Sequence, residues 1–250
     1  MDSLEVLWLP QELAPSSIAD SRVVVIDVIR ATTSMTTALA AGGQQVIPTG
    51  SVAAARATAD RIRGSLLCGE RNGLPPKGFD LGNSPRSFIS ELVAGESMIF
   101  TTTNGTAAIE MVIDARELRI ACFRNVSAVA RVLSDATDTK STPIIIICAG
   151  RNGRIGMDDA WCAGHLVERI LKWSPSLELG DGAQAAYTFA ASLGRPTPES
   201  LAKTDAGRAL CDLGLDEDLG HCAKVDDLSV VPIWCDGAFV KGGEEGADAG

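Results

Sequence analysis

The sequence predicts an α/β fold, a three-layer αβα arrangement around a mainly parallel, or mixed, sheet. Three observations carry that expectation. Short apolar, β-branched runs alternate with helix-patterned segments along most of the chain, the rhythm of β-α-β units. Hydrophobic residues make up 46% of the 250 residues but aromatics only 4%, so the core must be built from Ala, Val, Ile and Leu, as suits parallel strands covered by helices. Four of the strand runs stop abruptly in polar segments of Asp, Glu, Arg, Thr, Asn and Gly, and the carboxyl ends of strands in such a sheet open onto a common crevice.

Taken in order, LEVLWL (4–9) is short and apolar and reads as a first strand. VVVIDVI (23–29) reads as a buried strand, continued by a small-residue helix over 32–41 that Gly42 and Gly43 end. A strand over 44–50 precedes a helix over 52–62 capped by Ser51. The strand over 65–69 runs into a long Gly/Pro/Asn loop, after which Ser84 and Pro85, an N-cap and a first-turn proline, start a helix over 85–93. Strands over 98–103, 118–123 and 144–150 are followed by helices over 105–113, 126–135 and 158–173. Past residue 175 the strand signal fades, with helices over 181–193 and 198–214 wrapping the core and one late strand within 228–235. No repeat or linker divides the chain, so residues 1–240 are expected to form one α/β domain, or two intimately packed subdomains, followed by a disordered acidic tail over 241–250.

The net charge of −10 argues against nucleic acid and anionic membrane as partners. Residues 1–155 hold fifteen Lys/Arg and fifteen Asp/Glu, whereas 156–250 hold seven and seventeen. The polar strand ends therefore lie in an electrically balanced region where Arg can attract an anion, and the acidic remainder reads as a solvated surface. Seven cysteines, odd in number and without a Cys-x-x-Cys, point to a reducing cytoplasm rather than a disulfide framework or structural zinc. MDSLEVLWLPQEL lacks the basic region and apolar stretch of a signal peptide, and no membrane span is expected. A small-molecule partner is expected, with the oligomeric state open and a homodimer among the options.

In DVIRATT (27–33), Asp27 follows an apolar run, and Arg30, Thr32 and Thr33 fall where the chain turns into a helix whose free N–H groups favour an anion. An Asp that caps the turn and pairs with Arg30 explains the segment about equally well. Glu70, Arg71, Asn72 and Gly73 come straight after a strand, and Asp80, Asn83 and Ser84 follow in a long irregular loop of the kind that tends to be functional. For Asp80 and Ser84, turn and capping duty serves at least as well, but turn chemistry has no special need for Glu70. TTTNGT (101–106) offers Thr102, Thr103, Asn104 and Gly105 as neutral donors for a phosphate or carboxylate oxygen. In CAGRNGR (148–154) and beyond, Arg151 and Arg154 suit anion binding, and Asp158 or Asp159 suits a metal or a helix start.

Three rival chemistries compete for these segments. Cys148 and Arg154 share the Cys-x5-Arg spacing of thiolate phosphatases, but the glycines stand at other positions and Cys148 ends a run of four isoleucines, where an inert buried thiol is expected. The aspartyl nucleophile of haloacid dehalogenase-like phosphatases needs a second Asp two residues on, where this chain has Ile29. Histidine chemistry suffers from scarcity, since only His165 and His221 exist and neither lies in the four segments. A hard-oxygen site of carboxylates and water, suited to Mg²⁺, is what remains.

DVIRATTSMTTALAAG, GERNGLPPKGFDLGNSP, TTTNGTAAI and CAGRNGR, in this order and spacing, resemble the 2-phosphosulfolactate phosphatase family. The resemblance implies a three-layer α/β fold and a Mg²⁺-dependent acid phosphatase that converts 2-phospho-3-sulfolactate to 3-sulfolactate, a step towards coenzyme M. Arg151 departs from it, standing where a Thr or another small polar residue is expected. Residues and resemblance together nominate Asp27, Glu70 and Arg30 as catalytic, and Asp27 and Glu70 with Asp80 or Asp159 as Mg²⁺ ligands. Arg71, Asn72, Thr32, Thr33, Thr102, Thr103, Asn104, Gly105, Arg151 and Arg154 are expected to bind the substrate. The alternatives are a thiolate phosphatase using Cys148 and a module that only binds small anions.

Overall fold

Ten strands form one mixed sheet in a computed structural model of the chain, which describes residues 3–14, 18–134 and 142–242. They are β1 (Ser3–Leu7), β2 (Arg22–Ile26), β3 (Gln45–Pro48), β4 (Leu66–Gly69), β5 (Ser97–Thr101), β6 (Glu117–Ala121), β7 (Ile144–Cys148), β8 (Glu178–Leu179), β9 (Pro232–Cys235) and β10 (Ala238–Lys241). Their spatial order is β4-β5-β3-β10-β9-β6-β2-β7-β1-β8. All pairings within β4-β5-β3 and within β6-β2-β7-β1-β8 are parallel. Between these two blocks sits the antiparallel hairpin β9-β10, which meets β3 where Phe239 faces Val46 and β6 where Ile233 faces Arg119.

The late strand expected within 228–235 is β9, and β10 is its unexpected partner. Asp236 and Gly237, with φ of 50° and 89°, make the two-residue turn whose handedness matches strand twist. Of the tail expected to be disordered over 241–250, Lys241 ends β10, and residues 243–250 lie outside the described residues.

The helices are α1 (Ala31–Ala40), α2 (Val52–Arg61), α3 (Ser90–Val93), α4 (Gly105–Glu110), α5 (Val126–Ser134), α6 (Met157–Trp173), α7 (Asp181–Leu193), α8 (Pro198–Leu201), α9 (Asp205–Asp212) and α10 (Leu219–Cys222). Ser51 caps α2 as expected, its hydroxyl accepting from the Ala54 N–H at 3.0 Å. Two expected helices are broken. The segment 85–93 splits into a 3-10 turn and α3, because Ile89 is extended. The segment 198–214 splits into α8 and α9 because extended Thr204 turns its hydroxyl to the Gly207 N–H at 2.9 Å and starts a new helix.

Strand residues alternate between two cores. Val24, Ile26, Ile144 and Ile146 join α5, α6 and α7 on one face, and Val23, Val25, Ile145 and Ile147 join α1 and α4 on the other. Each such side chain contributes about 1.5–3 kcal/mol when fully buried, so the β-branched runs hold the central strands from both sides.

The sheet also curls. β2 and β5 are five strand steps apart, which on a flat sheet is about 24 Å. Yet the N–H of Gly105, just past β5, reaches the carboxylate of Asp27, just past β2. The intervening strands bend around α1, which packs against β3, β10 and β6. The four polar strand endings do share one crevice, but as two facing pairs rather than four neighbours.

Candidate active site

Each pair of strand endings is held by one carboxylate. On the β4/β5 side, Glu70 Oε1 accepts from the Thr103 N–H at 2.7 Å and Oε2 from the Gly73 N–H at 2.7 Å. On the β2/β7 side, Asp159 Oδ1 accepts from the Val28 N–H at 2.8 Å and Oδ2 from the Gly150 N–H at 2.9 Å. Charge-assisted bonds of this kind are about twice as strong as neutral ones, and two per carboxylate fix the loop ends against each other.

The two sides carry matching turns. Arg71 to Leu74 and Arg151 to Arg154 each close a hairpin through paired main-chain bonds, 2.9 and 3.2 Å in the first and 2.8 and 3.0 Å in the second. Asn72 and Gly73 have φ of 53° and 83°, and Asn152 and Gly153 have 51° and 72°, values that Asn-Gly adopts at little cost. Asn72 and Asn152 thereby come to line the crevice from opposite sides. Across the gap, Asn104 Oδ1 accepts from the Asn152 N–H at 3.1 Å and Arg30 Nη2 donates to the Gly73 carbonyl at 2.6 Å.

The resulting cleft is open to solvent and has a cavity volume of about 90 Å³. Asp27, Arg30, Glu70, Thr102, Thr103, Asn104 and Arg151, all nominated from sequence, border it together with Asn72. Its remaining wall was not foreseen: Ala206, Ala209, Leu210 and Leu213, on or just past α9, close it from the acidic part of the chain. Asp218 was missed too. It is buried, takes Arg30 Nη1 at 2.7 Å and accepts from the Ser84 hydroxyl at 2.6 Å. A count of acidic residues reads that segment as solvated surface, and only the tertiary fold reveals that one of its carboxylates faces inward. The Ile29–Arg30 peptide that leads into this pair is cis.

Other nominated residues stand behind the cleft. Arg71 turns away to brace strand ends, donating to the Glu70 carbonyl and the Thr101 hydroxyl at 2.7 Å each. The Thr32 and Thr33 hydroxyls donate to the carbonyls of Asp27 and Val28, closing the turn into α1. Arg154 lies on an outer groove next to the cleft with Arg208. Asp80 is exposed, and its Oδ2 accepts from the Leu67 N–H at 2.8 Å, fastening the long loop to β4.

Gly105 has a steric role. A Cβ there would lie 2.6 Å from Ala31 Cβ and 2.7 Å from Asp27 Oδ2. Gly105→Ala should cost about 1–3 kcal/mol of stability through overpacking and displace the Asp27 carboxylate. Thermal unfolding alongside phosphate release checks this, and an unchanged melting temperature would contradict the contact.

A smaller recess with a cavity volume of about 10 Å³ continues from the cleft, bordered by Asp27, Asp158 and Asp159. Burial raises the Asp27 pKa to about 7, with further upward pushes from the Asp158 and Glu70 charges. Burial likewise raises Asp158 to about 6, although Arg151 and the Ile29 N–H act the other way. Asp159 is pushed well up, first by burial and then by Asp158 and Asp27. None of the three carboxylates forms a salt bridge among the described residues, and Arg151 is the one basic residue among those that border the recess, so acidic groups outnumber basic ones there three to one. A model of the 2-phosphosulpholactate phosphatase family matches residues 7–237 of the chain.

The chain belongs to that family. Relatives named probable 2-phosphosulfolactate phosphatase include one from Thermotoga petrophila, 39% identical over 229 residues that cover 91% of this chain and 96% of the relative. Another, from Deinococcus radiodurans, is 37% identical over 233 residues, covering 93% and 95%. A third, from Thermus thermophilus, is 39% identical over 213 residues, covering 84% and 86%.

In this 2-phosphosulpholactate phosphatase family member the carboxylates divide by the partners they already have. Both oxygens of Glu70 and of Asp159 accept main-chain N–H groups that tie two loop ends together, whereas Asp27 accepts the Ala31 N–H at 3.1 Å and, with Asp158, borders the recess. Among the described residues no three acidic, Cys or His side chains form a ready-made cation cage. Two buried carboxylates beside an open cleft suit Mg²⁺, which is commonly held by one or two carboxylates, waters and substrate phosphate oxygens. Cys148 is fully buried in a core, and burial, with Asp159 and Asp158 behind it, pushes its thiol well above the usual range. It does not border the cleft. Nor do the histidines: His165 bonds the Gly194 carbonyl at 3.0 Å, far along α6.

Proposed function

We propose that the chain hydrolyses 2-phospho-3-sulfolactate to 3-sulfolactate and phosphate with the help of Mg²⁺, as a step towards coenzyme M in a reducing cytoplasm. Three carboxylates, Asp27, Asp158 and Asp159, meeting a single Arg151 in a recess off an otherwise donor-rich cleft carry this reading. Seven free thiols, five of them buried, suit the compartment, and no helix among the described residues is long and apolar enough to cross a membrane.

Asp27 and Asp158 would hold the Mg²⁺, with Glu70 bordering the adjoining cleft. When bound, the ion would neutralise charge on the phosphoryl oxygens and polarise a water. The chain supplies the rest. Arg151 and Asn104 border both the recess and the larger cleft, where they can donate to phosphoryl oxygens. Glu70 holds the Thr103 N–H and hydroxyl in place, at 2.7 and 3.2 Å, so the β5 ending presents itself in one conformation. The aliphatic wall of α9 excludes water from one side.

Incubating the purified protein with 2-phospho-3-sulfolactate should release phosphate in Mg²⁺ and lose about 10²-fold or more in EDTA, a loss restored by adding Mg²⁺ back. Phosphate release insensitive to EDTA would remove the metal from the account, and no release under any condition would remove the substrate.

A further inference from the structure

Asn83 borders the cleft on the side away from the acidic recess. It is 4% exposed, and its Oδ1 is buried without a hydrogen-bond partner. Four buried side-chain atoms among the described residues share that condition, and of the four residues only Asn83 borders the cleft. Native proteins seldom leave a buried carboxamide unmet unless a ligand or water completes it.

The surroundings hold this residue firmly. The Ser34 hydroxyl donates to the Asn83 carbonyl at 2.8 Å, and the next residue, Ser84, donates to Asp218 at 2.6 Å. Asp218 in turn takes Arg30 Nη1 at 2.7 Å, with both side chains of the pair buried. A guanidinium has five N–H donors. Arg30 uses two of them, on Asp218 and the Gly73 carbonyl, while bordering the same cleft as Asn83. Neither Arg30 nor Asn83 borders the acidic recess.

We infer that Arg30 and Asn83 form a second oxyanion subsite, which takes a carboxylate or sulfonate that the substrate carries away from its phosphoryl group. Asp218 and Ser84 are its positioning residues. The inference rests on the reading that the acidic recess receives the metal and the phosphoryl group. Arg30 supplies planar, charge-assisted donors, and the Asn83 carboxamide, flipped by 180° so that its NH₂ takes the place of the unmet Oδ1, adds a neutral one. Asp218 compensates the buried guanidinium and fixes its plane, so the subsite recognises shape as well as charge.

The test compares wild type with Asn83→Ala and the isosteric Asn83→Asp on three esters in Mg²⁺. These are 2-phospho-3-sulfolactate, 2-phospholactate, which lacks the sulfonate, and O-phosphoisethionate, which lacks the carboxylate. For the first ester kcat/KM should fall about fivefold in Asn83→Ala and more than about tenfold in Asn83→Asp, mainly through KM. The loss should vanish on whichever analogue lacks the group seated there, which identifies that group. An equal loss on all three esters, or none in Asn83→Asp, overturns the subsite. Should wild type hydrolyse none of them, the phosphatase reading fails by itself, and calorimetry with 3-sulfolactate still decides the subsite. Affinity weakened about fivefold or more by Asn83→Asp supports it, and unchanged affinity overturns it.

Discussion

Asp27→Asn is expected to lower kcat/KM by about 10³-fold while making the metal-free protein more stable at pH 8. Activity falls because the variant withdraws one of the two charges proposed to hold the cation. Stability rises because burial lifts the Asp27 pKa from 3.8 to about 7, so above that pH folding carries a charge the interior disfavours. The sign follows from proton uptake. Between pH 4 and 7 the folded state binds more protons at this group than the unfolded state does, so its contribution to stability is present below about pH 4 and lost as the pH rises through about 7. The Asn amide keeps an acceptor for the Ala31 N–H but turns a donor towards that of Gly105, which offsets part of the gain. A net gain of about 1–2 kcal/mol, or roughly 2–8 °C, remains. His165 and His221, whose pKa values burial lowers, slope the other way. The decisive readout is therefore the difference between wild type and variant in EDTA, at pH 5 and at pH 8. A gap that does not widen with pH would count against a desolvated Asp27 carboxylate, and Mg²⁺ should stabilise wild type more than the variant.

Asp218→Ala should destabilise the protein by about 3–5 kcal/mol, because it strands the Arg30 guanidinium, whose side chain is only 4% exposed. The Ser84 hydroxyl loses its acceptor at the same time. Urea unfolding should show a lower midpoint with an unchanged slope, since the surface exposed on unfolding stays the same. Replacing both partners together, Arg30→Met with Asp218→Leu, should recover most of the loss, as buried pairs exchanged for apolar groups often do. A single-variant loss below about 1 kcal/mol would mean that water reaches the pair.

The alternation of strands and helices was legible because β-branched runs and small-residue helices differ in period and composition. The site residues at the β2, β4, β5 and β7 endings were legible for a related reason: Asp27, Glu70 and Asn104 interrupt apolar or hydroxyl runs where a strand has no use for them. The centre of the sheet was not. β10 is four residues long, and the Asp236-Gly237 dipeptide that announces its hairpin passed unread, as did the Asn-Gly pairs of the two cleft turns. Asp218 and the α9 wall escaped for a deeper reason. Charge counts describe a segment as a whole, whereas burial of one carboxylate among many depends on a guanidinium 188 positions away.

The hairpin at the centre of the sheet has a consequence for how the enzyme is made. β9 and β10 follow every other described strand in the chain, yet they fill the middle of the sheet. Until residues 232–241 leave the ribosome, the hydrogen-bonding edges of β3 and β6 stay open, available to a neighbouring nascent chain. Each half of the cleft can be stapled early by its own carboxylate, Glu70 or Asp159. The two halves acquire their connecting strands only once residues 232–241 have been made, so the catalytic crevice is completed by residues that do not border it.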